Sequence, residues 1–308
     1  MGESHRVRQI LGAGAAAFAG VAAWTQVERC SPVVRDYRIS VPLPPELDEF
    51  TILHLSDLHL FPGQEWMIDF IHRLTQLDFD LVVSTGDNFG SIRGLDLIRR
   101  AYAPLLEWPG VFVLGSNDYY SPRPKRWDSY LWGSHTRGRR TIPDLPWLDL
   151  VRDFADAGWV DLSNQAEVVP VDTLPEGVRL ACVCVDDPHI NRDRVPEVPV
   201  TWERESTLRL GVTHAPYQRI LNEFTALRSH LILAGHTHGG QLCLPGVGAL
   251  VTNCDLPRGF ASGVFDWSFS GEHSAVHVSA GLGTSPYAPV RFFCRPEVSL
   301  IHLVNEPQ

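Results

Sequence analysis

Leu231-Ile232-Leu233-Ala234-Gly235-His236-Thr237-His238-Gly239-Gly240 is the stretch from which the rest of the chain is read. Its apolar start is too short for an ordinary helix and suits a buried strand over Leu231–Leu233. The run then breaks into two imidazoles at i and i+2, flanked by glycines. Those glycines let the backbone adopt positive φ and approach a bound ion closely. Two imidazoles framed in this way have no obvious packing purpose, so the block reads as a strand end that delivers nitrogen ligands.

The same arrangement recurs outward from this block. Thr51–Leu55 reads as a strand that runs into Ser56-Asp57-Leu58-His59, and Leu81–Ser84 runs on to Gly86-Asp87-Asn88. Val111–Leu114 leads to Gly115-Ser116-Asn117-Asp118, and Leu208–Val212 to Thr213-His214-Ala215-Pro216. Helical patterns lie between them, at Glu65–Gln76, Leu95–Ala103, Trp147–Ala157 and around Pro216–Leu227, while Ser274–Val278 and Val298–Val304 close the fold as strands. Strand, helix and strand in succession imply right-handed crossovers and a largely parallel sheet. Ligands of such a sheet bind beyond the carboxyl ends of its strands. Taken singly, Asp87-Asn88 is explained as a turn and His214 as a structural histidine. Five strand-end blocks that all offer oxygen or nitrogen, and never a thiolate, are better explained by a shared metal centre. Carboxylate, amide and imidazole together suit Mn, Fe or Zn, whereas calcium takes oxygen alone.

The chain has 308 residues, with 36 acidic and 26 basic side chains and a net charge of −10. An acidic chain is a poor general binder of nucleic-acid backbone, which needs clustered Lys and Arg. A phosphate-containing substrate remains compatible with that charge if metal cations supply the local positive field. Six cysteines are too few for a disulfide scaffold. Cys182 and Cys184 alternate in an apolar run and are expected on one face of a strand, as core residues.

Residues 1–28 read as an N-terminal signal or anchor segment, because Arg6 and Arg8 precede an uncharged apolar run from Ile10 to Trp24. The run is shorter than the roughly 20 residues that span a bilayer comfortably. Val21-Ala22-Ala23 offers a small-residue cleavage site, so an anchor and a cleaved signal both stay open, and the expected location is membrane-associated or exported. Residues 29–48 read as a proline-punctuated linker with a short edge strand around Tyr37–Val41. Residues 49–308 form the expected catalytic domain. Tyr119–Pro146 breaks the strand–helix rhythm and reads as a long loop beside the site. Arg123, Lys125 and Arg126 within it suit either an anion-steering lid or a solvated surface.

The ordered set D-x-H, G-D-N, G-S-N-D, T-H-x-P and G-H-T-H-G-G resembles the calcineurin-like metallophosphoesterase superfamily. The closing residues Ser279–Thr284, Pro289–Phe292 and Arg295–Glu297 are similar to its bacterial membrane-associated, YkuE/YaeI-like branch. The resemblance implies an α/β fold, a four-layer α/β/β/α sandwich of two mixed sheets flanked by helices, with two divalent metal ions at one sheet edge. It implies a hydrolase of phosphoesters, more a phosphodiesterase than a monoesterase, in which a metal-bridging hydroxide attacks phosphorus in line. Asp57, His59 and His238 would hold one ion, with Asp87 bridging, and Asn117, His214 and His236 would hold the other. The substrate would be a phosphoester small molecule or lipid.

One departure from the family pattern matters. Where the family reads G-N-H-D, this chain reads Gly115-Ser116-Asn117-Asp118, so a shifted loop is expected to let Asn117 coordinate. Asn117 and Asp118 are the residues of this block placed at the catalytic centre, Asp118 by organising its loop through backbone hydrogen bonds. The family's general-acid histidine is missing there. His189 and His135 are candidate substitutes or ordinary surface histidines, and the loss favours good leaving groups. His54 is expected in the core or behind the ligands. A non-catalytic metal-binding scaffold of the same fold is the alternative function.

Overall fold

The structure is a computed structural model that describes residues 2–124 and 141–305. The chain begins with helix α1 (Gly2–Arg29) and strand β1 (Val33–Ser40), followed by β2 (Glu49–Leu55). Next come α2 (Glu65–Arg73), β3 (Leu81–Ser84), α3 (Leu95–Tyr102) and β4 (Gly110–Phe112). The single turn α4 (Ser116–Tyr119) and α5 (Trp147–Asp156) precede β5 (Val160–Asp161), β6 (Ala166–Val169), β7 (Arg179–Cys184) and β8 (Thr207–Val212). Helix α6 (Gln218–Ala226) leads to β9 (Leu231–Ala234) and the short pair β10 (Cys243–Leu244) and β11 (Gly248–Ala249). The chain closes with β12 (Gly263–Phe269), β13 (Glu272–Val278) and β14 (Glu297–Val304).

These strands form two six-stranded mixed sheets, ordered β1-β14-β2-β3-β4-β5 and β12-β13-β9-β8-β7-β6. Strands β2 to β5 run parallel, as do β7, β8, β9 and β13. Because the central strands are covered on both faces, they are largely apolar, and alternation decides which layer each side chain enters. Phe50, Ile52, Leu81 and Val83 face Leu180, Cys182, Cys184, Leu210, Leu231 and Leu233 between the sheets. Leu53, Leu55 and Val82 face the other way, onto Ile68 and Ile71 of α2, Ile98 of α3 and Phe154 of α5. Ile232, Ala181 and Val276 pack against Ile220, Leu221 and Phe224 of α6. The result is the expected four-layer α/β/β/α sandwich.

The stretch expected as a linker holds more structure than its prolines suggest. β1 begins at Val33 rather than Tyr37 and pairs in parallel with β14 along its whole length, from Val33↔Glu297 to Ser40↔Val304. Ile39, Val41, Leu43 and Leu47 are buried between the sheets, and that burial ties residues 33–47 to the folded body. Cys182 and Cys184 are buried and free, on one face of β7. No helix among the described residues is long and apolar enough to cross a membrane.

Candidate metal centre

The expected site residues lie at the carboxyl ends of β2, β3, β4, β8 and β9. Five of them, Asp57, His59, Asp87, His236 and His238, have left-handed backbone, with φ between 43° and 68°. Side chains other than glycine seldom adopt that region, and where they do, function is a frequent reason. Here the surrounding backbone holds it, because Asp57 N donates to Gly86 O (2.9 Å) and His59 N to Asp87 O (3.0 Å). Two glycines make room. A Cβ on Gly235 would strike Ser56 Oγ and Asp57 Oδ2, and one on Gly115 would strike Asp87 Oδ1 and the His214 ring.

The donor atoms of Asp57, His59 and His238 lie within 4.8 Å of one another, and so do those of Asp57, Asp87 and His214. These two triads therefore share Asp57. Asp87 Oδ2 lies 3.5 Å from both His59 Nε2 and His214 Nε2, between the triads. Asn117 enters beside it: its backbone N donates to Asp87 Oδ1 and its side-chain amide to Asp87 Oδ2, both at 2.7 Å. The Asn117 amide, rather than the Ser116 hydroxyl, is the group bonded to Asp87. His236 contacts His214 through Nδ1 at 3.3 Å, and its backbone N donates to Asp57 Oδ2 at 2.9 Å. All seven expected ligands thus belong to one contiguous cluster.

Several observations bear on whether this cluster suits cations. Asp57 Oδ1 is buried without a hydrogen-bond partner, with His238 Nε2 3.6 Å away. Such an orphaned carboxylate oxygen is costly unless an ion or water satisfies it. His59 Nε2 and His238 Nε2 meet at 3.2 Å. His214 Nδ1 donates to Thr85 O at 2.6 Å, which turns its Nε2 toward Asp87 and His236. A carbonyl that fixes the tautomer of an imidazole in this way is the usual support for a metal-binding histidine. The residues fit a pair of divalent cations.

Charges agree with that fit. Burial pushes His59 below its ordinary value, His238 down to about 4 and His236 well down, so all three are neutral, the form that ligates. His214 differs from these three: burial opposes its charge, but Asp87, Asp187 and Asp57 hold it well above its ordinary value, while His214 and His59 hold Asp87 well below, so the buried acids favour positive charge at the place a cation would take.

Asp118 is fully buried. It accepts hydrogen bonds from Asp87 N and Asn88 N (both 2.8 Å) and from Gly115 N (2.9 Å), which locks two strand-end loops together. Its carboxylate is thus directed at backbone amides. Burial and the nearby Asp87 raise it to about 7. The loop after β7 brings His189 to the cluster, its ring centroid 4.5 Å from that of His236 and its Nδ1 3.1 Å from Tyr217 Oη. His135, Lys125 and Arg126 lie outside the described residues.

Sequence reasoning passed over three contributors. Asp187, fully buried and raised to about 7 by burial, lies close enough to His214 and Asp87 to interact with both. Arg291 donates through Nη2 to the carbonyls of Ala280, Gly281 and Gly283, at 2.8–2.9 Å. That fixes the loop whose Leu282 N and Gly283 N bond Ser56 O and Asp57 O. Thr85 supports His214 through its carbonyl. Asp187 lies two residues before His189 and Arg291 falls within the closing Pro289–Phe292 block, whereas Thr85 had no signal of its own.

Among similar proteins, an uncharacterised metallophosphoesterase of Aquifex aeolicus is 27% identical over 289 residues, covering 91% of this chain and 94% of its own. A zebrafish (Danio rerio) protein described as a transmembrane protein with metallophosphoesterase domain is 26% identical over 88% of this chain, and a Campylobacter jejuni metallophosphoesterase 24% over 86%. The chain spans only 57% and 62% of the lengths of those last two. A dimetal phosphatase structure from Danio rerio aligns over 76% of this chain and 88% of its own, at 11% identity and a TM-score of 0.40. The model of the calcineurin-like phosphoesterase family matches residues 50–240, well over half of the chain and the span that holds all seven clustered residues, and the protein belongs to that family.

Proposed function

We propose that the protein is a dimetal phosphoesterase that prefers phosphodiesters and acts at a membrane. The observation that carries this reading is the orphaned Oδ1 of Asp57, a residue common to two candidate ligand triads where the strand ends of both sheets meet. In the proposed assignment Asp57, His59 and His238 hold one ion and Asn117, His214 and His236 the other, with Asp87 between them. Divalent cations there, of the Mn, Fe or Zn type, supply Lewis acidity and lower the pKa of a nucleophilic water. They also give an acidic chain the positive field that a phosphoester needs.

Asp118 acts as a positioning residue, since it holds the loops of Asp87 and Asn117. With Asn117 in place of the family's histidine, the departing oxygen lacks its usual proton donor, so diphosphates and aryl diesters are the favoured substrate classes. His189, exposed beside His236, is the imidazole nearest to that role. The membrane reading draws on the exposed apolar side chains of α1 and on two relatives, from Danio rerio and Bos taurus, described as transmembrane proteins. A lipid-linked or envelope phosphoester follows as the substrate class.

The test uses the full chain stripped of metal, with Mn, Zn or Mg added back, on bis-p-nitrophenyl phosphate and p-nitrophenyl phosphate. Metal-restored diester turnover that Asp87→Ala abolishes supports the enzyme. Metal uptake without turnover of either compound favours a binding scaffold of the same fold.

A further inference from the structure

Behind the metal cluster, a line of buried polar side chains crosses the layer between the sheets. Phe50 and Ile52 of β2 face that layer, so His54 faces it too; Ala275 of β13 faces it from the opposite sheet, and so does His277. The two imidazoles meet there, Nδ1 to Nδ1, at 3.0 Å. His54 Nε2 lies 3.0 Å from Thr85 Oγ1, which donates to Ser56 Oγ at 2.7 Å, and Ser56 Oγ donates to Asp57 Oδ2 at 2.5 Å. All four of these supporting side chains are fully buried. Polar groups in so apolar a layer are costly unless every bond is made.

We propose that His277, His54, Thr85 and Ser56 form a one-way hydrogen-bond chain that holds Oδ2 of Asp57 and thereby presents Oδ1 to the metal centre. The direction follows from the end of the chain. A carboxylate only accepts, so Ser56 donates to it. Having spent its proton, Ser56 accepts from Thr85, and Thr85 in turn accepts from His54 Nε2–H. His54 is then bare at Nδ1 and accepts from His277 Nδ1–H. That leaves His277 Nε2 as a bare acceptor, and it is the one ring nitrogen of the pair that is buried without a partner. Both rings must be neutral for this, and burial pushes His54 well below its ordinary value and His277 to about 3.

Asp57 Oδ2 is thus tied by Ser56 and by His236 N, whereas Oδ1 stays unpaired in the cleft. Thr85 couples the two sites, since its hydroxyl serves the Asp57 side and its carbonyl orients His214. Donors aligned in series polarise one another, so the hydroxyl on Asp57 is a stronger donor than an isolated serine. These four are positioning residues, and the inference rests on the metal centre proposed above.

Two measurements on the full chain test it. In the metal-free protein labelled with ¹⁵N-histidine, NMR should show His54 protonated at Nε2 and His277 at Nδ1, and the reverse tautomers overturn the relay. Cobalt(II) titration followed by visible absorption supplies the second. Thr85→Val keeps the shape and the carbonyl but loses the hydroxyl, and should weaken binding by about 10-fold, as losses of outer-shell partners do. Thr85→Ser keeps the hydroxyl and loses a methyl, and should bind within about 2-fold of wild type, with its spectrum unchanged, because the outer-shell bond survives. Ser56→Ala combined with Thr85→Val should bind no more weakly than the weaker single variant, since both break one chain. A side chain that only fills space gives the opposite order, with Ser the more damaging, and that result overturns the proposal. A wild-type chain that takes up no cobalt overturns the metal centre itself, a failure distinct from reversed tautomers in a chain that does bind it.

Discussion

At the scale of single residues, the site is marked by backbone that side chains normally avoid. Left-handed φ at Asp57, His59, Asp87, His236 and His238 carries a cost of order 1–3 kcal/mol each, and bonds such as His59 N to Asp87 O sustain it. The candidate ligands were legible in the sequence because each lies a few residues past an apolar run, as Asp57 follows Leu55-Ser56 and His236 follows Ala234-Gly235. Ser56, Thr85 and His54 were not legible as a group. A hydroxyl has no characteristic spacing, and the His54–His277 contact joins residues 223 positions apart. His277 also sets an acid limit. Burial holds it neutral in the folded protein down to about pH 3, whereas in the unfolded chain it takes up a proton below its ordinary value near 6.5. The unfolded state therefore binds more protons between those values. Its contribution to stability is complete above the ordinary value and lost as pH falls toward 3. Phenylalanine cannot take up that proton, so the stability of wild type relative to His277→Phe should fall by about 1.4 kcal/mol per pH unit on acidification through this window. Urea unfolding at several pH values reads it, and a difference that stays flat between pH 6 and 4 contradicts it.

At the scale of elements, helices and central strands were read within a few residues, because burial on one or both faces imposes their patterns. The edges were harder. β12 was missed although Phe265, Trp267 and Phe269 alternate with Asp266 and Ser268, and although Ser270-Gly271, both at positive φ, form the two-residue hairpin loop that joins it to β13. β1 was read too short because its prolines fall just outside it, at Pro32 and Pro42. Helix α1 is pinned at its end: the Glu28 carboxylate accepts from Phe293 N and Cys294 N, and Gln26 Nε2 donates to Pro289 O. Thr25 is buried as well, whereas Phe18, Val21, Trp24 and Val27 are exposed. A pinned helix with unpartnered apolar residues suits a lipid interface, where Trp anchors well. The full chain should co-sediment with phosphatidylcholine–phosphatidylglycerol vesicles, and Phe18→Asp with Trp24→Asp should release it. Equal recovery of both proteins in the vesicle pellet contradicts that role for α1.

At the scale of the whole molecule, a net charge of −10 and a phosphoester substrate are reconciled only at the edge where the loops of both sheets meet. β2, β3 and β4 supply Asp57, His59, Asp87 and Asn117 from one sheet, and β8 and β9 supply His214, His236 and His238 from the other. Buried acids and imidazoles brought together there would attract divalent cations, and those cations would draw in phosphate. The most direct measurement is metal stoichiometry by equilibrium dialysis of the full chain against Mn²⁺, with bound metal read by atomic emission. Because Asp57 belongs to both triads and His238 to one, wild type should hold two ions per chain, His238→Ala one, and Asp57→Asn neither tightly. A wild type that holds fewer than two, or an Asp57→Asn variant that retains both, would contradict a shared two-cation centre.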